Sequence, residues 1–408
     1  MLAKNRNVPD YAFLVVLLLL LGTTTASGQQ SPREILDQVW SQARENVYPP
    51  SLTETHFTAE RLGALRKRAA KVADVYALTP LINEFLAQLG VSHTRFYDNH
   101  SVEFYFFRSL FGTRDPDQPA INHIGAFFAT DGGYYVVRET LNGYPAERAG
   151  LRRGDVVVRA NGEVFHPFLS FNPAAGPVKL EVRRNTDRFE VPVSPVSENP
   201  NRSLANAIAN SAKTFSRNGK RIGYIRLWSG TGAAHLAAYR ESVADHLMAS
   251  DAVVLDLRGG FGGAWYEYAD PFFADRSGYF RFSVVNRDGV QAFEPPQQDN
   301  DKYFAGPMAV LIDDGTRSGK EGVAYLFQRA GRAPLIGRTT AGAFSAGMGI
   351  FNDSSLPYFL CLSVAEYMLD GRKVEGVGIE PDVVVEYPLD RSLDSDPQLE
   401  AALDLLAR

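Results

Sequence analysis

Residues 313–322 read DDGTRSGKEG, and the serine among them can serve two kinds of chemistry. Ser318 followed by Glu321 fits the S-x-x-E capping box, in which serine and glutamate satisfy each other's backbone amides at a helix start. The apolar run PMAVLIDD directly before it has strand length, so the segment also reads as strand, sharp glycine-containing turn, serine, helix. That order would expose the hydroxyl at a sheet edge as a nucleophile. It would also place the Gly319 amide at a helix N-terminus, where developing negative charge is stabilised. A serine nucleophile needs a proton acceptor, and no neighbour offers one: Lys320, two residues on, is expected to project away from the hydroxyl.

Three further segments hold residue types that could complete such a site. In LDLRGGFGGAW (255–265), Asp256 and Arg258 end an apolar strand and four glycines follow within five residues. No G-K-[ST] follows them, which argues against a phosphate loop. Glycines here are either a plain connection or a way to bring backbone N–H groups close to a ligand. An amide of Gly262 or Gly263 could form an oxyanion hole with that of Gly319. In LGVSHTRFY (89–97), His93 stands beside Ser92 just past Gly90, a C-cap glycine. A histidine near neutral pKa suits a serine hydroxyl as base, although a lone histidine is more often structural or exposed. In GRKVEGVGIEPDVVVEYP (371–388), Glu375 and Asp382 are either solvated turn acids or, for Glu375, the group that orients an active-site partner. Cys361, the single cysteine, has no intramolecular disulfide partner, rules out a cysteine-rich zinc site, and reads as a buried strand residue within YFLCLSV. No metal or cofactor site is expected.

Positioning these residues falls to three textures along the chain. Residues 31–110 are mostly helical in spacing; SPREILDQVWSQARENVY opens with Ser31 and Glu34 spaced as a capping box. Residues 112–198 turn to short strands and turns (DGG, ANGEVF) around a short helix at YPAERAG, the pattern of a compact β-domain. Beyond 200, apolar strand-length runs alternate with helices, which points to an α/β layer with strands buried on both faces. DPQLEAALDLLAR reads as a closing amphipathic helix. The 408 residues are 45% apolar and 22% charged, enough for a sizeable core. A net charge of −5 without basic blocks argues against nucleic acid or an anionic membrane as a partner. The start, MLAKNRNVPDYAFLVVLLLLLGTTTASGQQ, has the layout of a signal peptide: Lys4 and Arg6, a short apolar run, then small residues. That run is shorter than the roughly 20 residues needed to span a bilayer, so no stable membrane anchor is expected.

Taken together, GYPAERAGLRRGDVVVRANGEVF, DLRGGFGG, DDGTRSGKE and VEGVGIEPD resemble, in order, segments of the C-terminal-processing (tail-specific) serine peptidases. The catalytic details resemble the tricorn protease core. The resemblance covers nearly the whole chain after the signal peptide. It implies a multi-domain α/β protein: signal peptide 1–28, helical region 29–111 carrying Ser92-His93, inserted PDZ-like domain 112–198, ClpP/crotonase-like α/β catalytic domain 199–390, and C-terminal helix 391–408. One feature departs from most tail-specific members, which pair the serine with a lysine in an F-G-K-G segment. Here that stretch is TTAGAFSAG (339–347) without lysine, Ala343 falls at or near the place, and Lys373 lies too near the Glu375 turn to replace it. The tricorn-type pattern supplies the alternative: Ser318 as nucleophile, His93 as base, Ser92 and Glu375 as its supports. The resemblance further implies an exported, periplasmic or extracellular endopeptidase acting on proteins or peptides without a cofactor. Tails would be recruited by strand addition at Ile124, Gly125 and Ala126. A catalytically silent binding protein on the same fold, or an esterase, is the competing expectation.

Overall fold

The computed structural model describes residues 30–111, 119–172, 176–352 and 357–408. The expected signal peptide lies outside them. No helix of the described residues is long and apolar enough to cross a membrane.

The C-terminal half is built on a six-stranded sheet ordered Lys213–Arg217, Lys220–Arg226, Ala252–Asp256, Met308–Ile312, Leu335–Gly337, Val383–Val384. The first pair is antiparallel and the rest run parallel. Its central strands are buried at every position because both faces are covered. Val253, Leu255, Val310 and Ile312 pack towards Ile208, Tyr239 and Phe327. Ala252, Val254, Ala309 and Leu311 pack towards Leu403 and Leu406 of the closing helix Pro397–Leu406.

A second sheet, which the sequence did not announce, centres on the long strand Tyr358–Leu369. That strand pairs antiparallel with Arg95–Asp98, Ser345–Asn352 and Phe282–Asn286. Arg95 and Gly349 both sit opposite Cys361, so the segment after His93 and the segment around Ser345 flank the same strand. Helices Pro32–Asn46, Ala59–Ala69 and Val75–Ala87 cover this sheet, burying Ile35, Val39, Leu78 and Phe85 against Leu360 and Leu362. The first helix begins with the expected capping box: Glu34 N–H donates to Ser31 Oγ at 3.3 Å and Ser31 N–H to Glu34 Oε2 at 2.7 Å.

Between the two halves, Ala126–Asp131, Tyr134–Thr140, Val156–Ala160, Val178–Arg184 and Asp187–Val193 form a separate antiparallel sheet with the short strand Glu163–Val164 at its side. Its own core includes Val137, Val157, Phe165, Phe171 and Leu180. The chain enters and leaves through a two-stranded ribbon, Ile121–His123 against Val196–Glu198, so both ends of this unit lie side by side. Its strand Tyr134–Thr140 touches the catalytic layer: buried Glu139 pairs with Arg226 and its carboxylate fills the place a side chain on Gly259 would take.

Candidate active site

Ser318 stands where strand Met308–Ile312 turns into helix Gly319–Arg329. Asp313 builds the turn: its Oδ1 accepts the N–H groups of Gly315 (2.9 Å), Thr316 (3.0 Å) and, from the glycine-rich loop, Gly259 (3.0 Å). Thr316 Oγ1 donates to the Leu257 carbonyl at 3.0 Å, locking the same two segments together. The outcome is a backbone at Ser318 with φ +55° and ψ −133°. Such a conformation costs free energy for a residue with a side chain and persists only where the surroundings impose it. Among the described residues six non-glycines have positive φ; four are Asn or Asp, which tolerate it, and the other two are Ser318 and His93.

The glycine-rich loop lies against the serine. A side chain on Gly262 would stand 2.4 Å from Ser318 Cβ, and one on Gly319 would stand 2.0 Å from the Ala264 carbonyl oxygen. Only glycine allows this approach. The N–H groups of Gly262, Gly263 and Gly319 take no part in the backbone hydrogen bonds of the described residues, so they remain available to an oxyanion.

Lys320 is not at the surface. It is fully buried, and its Nζ donates to the carbonyls of Gly259 and, at 3.3 Å, Leu227, beneath the glycine-rich loop. Burial first, and Arg226 second, push its pKa down to about 7. Lys373 is paired with Glu366 at 2.8 Å. Neither lysine serves Ser318.

Ser92, His93 and Glu375 form a hydrogen-bonded chain although 283 positions separate its ends. Glu375 accepts three donors: Ser92 N–H at 2.7 Å on Oε1, and Ser92 O–H at 2.8 Å and Phe344 N–H at 2.6 Å on Oε2. Ser92 Oγ lies 2.8 Å from His93 Nδ1. A carboxylate only accepts, so the single Ser92 hydroxyl proton goes to Glu375; Ser92 Oγ must then accept from Nδ1, which carries the ring proton. That leaves Nε2 as a free lone pair. Half-buried His93 is packed closely enough that desolvation, helped by the nearby Arg317 charge, pushes its pKa down to about 3. The resting imidazole is therefore neutral.

Residues 343–345, the stretch lacking the expected lysine, join these pieces. The Ala343 carbonyl accepts the Ser318 N–H at 2.9 Å, Phe344 N–H goes to Glu375, and Ser345 Oγ lies 3.0 Å from Ser92 Oγ and 3.3 Å from His93 Nδ1. Glu321 fixes the other side of this stretch. Its Oε1 accepts from Thr340 Oγ1 (2.6 Å) and Gly342 N–H (2.8 Å), and its Oε2 from Ala343 N–H (2.9 Å) and Ser318 N–H (3.0 Å). Glu321 thus supplies one half of the expected capping box, yet it also ties the serine to a second segment. Ser345 escaped the sequence reading; its only signal was a place beside the missing lysine, and the partner it touches is 252 positions away. Ser318 Oγ and the His93 ring make no direct hydrogen bond among the described residues.

Asp256 and Arg258 are structural. Arg258 bonds both oxygens of Asp256 (2.9 and 2.7 Å) and reaches Asp396 at 2.7 Å, pinning the start of the closing helix to the glycine-rich loop. Asp382 accepts from Leu335 N–H at 2.7 Å and is likewise a strut. In the small β-sheet unit, the Gly125 amide and the carbonyls of Ile124 and Gly125 are already used. Gly125 N–H donates to His123 Nδ1 at 3.0 Å, and the two carbonyls accept from Ala146 N–H and Leu141 N–H, each at 2.8 Å. Ala126 begins Ala126–Asp131, the outer strand of its sheet. Cys361 is buried, and burial pushes its thiol up to about 12, so it is inert. The described residues contain no group of His, Cys, Asp and Glu suited to a metal ion.

A serine on a strained strand-to-helix turn, a neutral histidine in one tautomer and unused glycine amides are the parts of a serine-type peptidase, and comparison with known proteins gives the same class. Residues 221–385 match the family model of Peptidase family S41. The chain is 26% identical to the carboxyl-terminal-processing protease of Synechocystis sp., over 97% of this chain and 92% of that protein. It is 24% identical to the tricorn protease of Thermoplasma volcanium over 94% of its length, which is 37% of that much longer protein. Among solved structures, a photosystem II D1 C-terminal processing protease shares the fold with a TM-score of 0.52 at 20% identity, covering 93% of this chain and 98% of that one. The tricorn protease structure gives 0.51 at 18% identity, covering 92% and 36%.

Proposed function

We propose that this chain is an exported endopeptidase that cleaves proteins or peptides through an acyl-enzyme on Ser318. His93 Nε2 takes the hydroxyl proton as Oγ attacks the peptide carbonyl. The resulting oxyanion rests on the amides of Gly319 and of Gly262 or Gly263. When the C–N bond breaks, the same proton passes to the leaving amine, and water then releases the acyl group by the reverse route. Ser92, Glu375 and Ser345 hold the imidazole in its tautomer and receive the charge it acquires. The single observation carrying this reading is the junction at 343–345, where three consecutive residues bond the Ser318, Glu375 and Ser92-His93 segments. A Ser318–His93 hydrogen bond would tighten when substrate fills the site, as catalytic contacts often do.

The small β-sheet unit acts in this proposal as a PDZ-like recruiter of substrate tails. Because the Gly125 amide and the Ile124 and Gly125 carbonyls are internally bonded, the outer strand beginning at Ala126 is the surface for strand addition. Ser318→Ala and His93→Ala proteins are expected to lose peptide hydrolysis while keeping the wild-type circular dichroism, and Ser318→Ala to lose labelling by a fluorophosphonate. The missing Ser318–His93 hydrogen bond favours one competitor, a silent binding protein. Wild-type protein that resists the fluorophosphonate and cleaves nothing would decide for it.

A further inference from the structure

Arg317, the residue before the nucleophile, is half-buried, yet it makes no ion pair and no side-chain hydrogen bond among the described residues. Two other arginines of this layer are paired: Arg258 with Asp256 and Asp396, Arg226 with Glu139. Three groups from two other segments feel the Arg317 charge, namely His93, Tyr97 and Cys361. They share one surface. Arg95 pairs with Cys361 across the sheet, and Gly347 is packed so closely that an added side chain would stand 3.0 Å from Cys361 Sγ and 3.4 Å from His93 Cβ.

Aromatic rings line the rest. Phe107 lies 5.4 Å from Tyr97, 4.8 Å from Phe359 and 6.2 Å from Phe261, centroid to centroid. Phe261 precedes Gly262, whose α-carbon faces the Arg317 carbonyl and Ser318. The surface between the base and the glycine-rich loop is thus lined by aromatic rings and carries the unpaired Arg317 guanidinium, with Arg95 and Glu103 acting on Tyr97 as well.

An unpaired guanidinium in such a place has lost hydration without gaining a partner. It also opposes catalysis, because it repels the positive charge His93 acquires on taking the Ser318 proton. A substrate anion would remove both penalties together. We propose that Arg317 is a specificity-determining residue that pairs with a substrate carboxylate within a residue or two of the scissile bond, and that this pairing frees His93 to act. The carboxylate is either an acidic side chain or the free C-terminus of a short tail. This inference rests on the peptidase reading above.

The test compares matched peptides: a short tail ending in the acid or the amide, and Asp or Asn beside the scissile bond. Wild-type enzyme should favour the charged member of at least one pair by roughly tenfold or more in kcat/KM, as hydrogen bonds to charged groups do; the pair showing it identifies the source of the carboxylate. Arg317→Gln should abolish the preference, with kcat on the neutral peptide no lower than wild type, and Arg317→Lys should retain most of it. Labelling by an uncharged fluorophosphonate reports whether each variant holds a formed site. No wild-type preference in either pair, or a preference unchanged in a labelled Arg317→Gln, overturns the inference alone. Wild-type protein that neither labels nor cleaves overturns the peptidase reading and this inference with it.

Discussion

At the residue scale, the site depends on hydrogen-bond bookkeeping that admits one solution. Ser92 Oγ has one proton and two lone pairs. The proton goes to Glu375, and the lone pairs face His93 Nδ1 at 2.8 Å and Ser345 Oγ at 3.0 Å. Ser345 is therefore a positioning residue: it loads the second lone pair and offers the imidazolium a further acceptor. Ser345→Ala should lower kcat by about fivefold to tenfold, the worth of one ordinary hydrogen bond, with KM unchanged. Steady-state kinetics on one peptide decides it; a rise in KM at constant kcat would place Ser345 in substrate binding instead. The depressed pKa of His93 has its own kinetic signature. A base held neutral down to about 3 keeps kcat/KM on its plateau well below pH 6.5, the ordinary histidine value.

At the element scale, Glu321 shows how a familiar local motif is turned to a distant purpose. A capping glutamate normally serves its own helix. This one also accepts from Thr340, Gly342 and Ala343, so the helix that carries Ser318 and the strand edge that carries Ser345 move as one piece. Burial lifts its pKa to about 7 against those four donors. Glu321→Gln would turn a donor amide towards N–H groups that need an acceptor. The expected loss is about 1–3 kcal/mol in urea-unfolding free energy, together with lower activity. An unchanged urea midpoint would show that the tie contributes nothing. The capping pattern was legible as S-x-x-E. The second segment was not, because hydrogen-bond partners 19 to 22 positions away depend on sheet order, which no local spacing encodes.

At the scale of the whole molecule, three histidines are held neutral by desolvation: half-buried His93 is depressed to about 3, and buried His123 and His235 to about 4. Their unfolded value is near 6.5, so between pH 6.5 and about 4 the unfolded chain binds more protons at these sites, and stability falls as pH falls. Glu321, raised to about 7, works the other way over part of that window, holding a proton in the folded state that the unfolded chain releases above about 4.5. Three groups outweigh one. The urea midpoint should therefore be lower at pH 5 than at pH 7; a midpoint that rises on acidification would show that these imidazoles are not desolvated as the packing requires.

Much of this protein could be read along the chain. The strand–turn–serine–helix order around Ser318, the glycines that alone permit close approach, the helical N-terminal region and the insertion of short strands are local patterns, because backbone sterics and hydrophobic period act over a few residues. The same locality explains the misses. Lys320 does project away from the hydroxyl as expected, but nothing local showed that the fold would close over it and spend it on two carbonyls. The sheet around Tyr358–Leu369 carries the segments of His93 and Ser345 to opposite flanks of one strand, and its Arg95–Asp98 pairing joins residues more than 250 positions apart. Residue types and short spacings determined which groups were able to react. Only the tertiary structure decided which of them meet, since packing and strand pairing join segments that the chain itself keeps far apart.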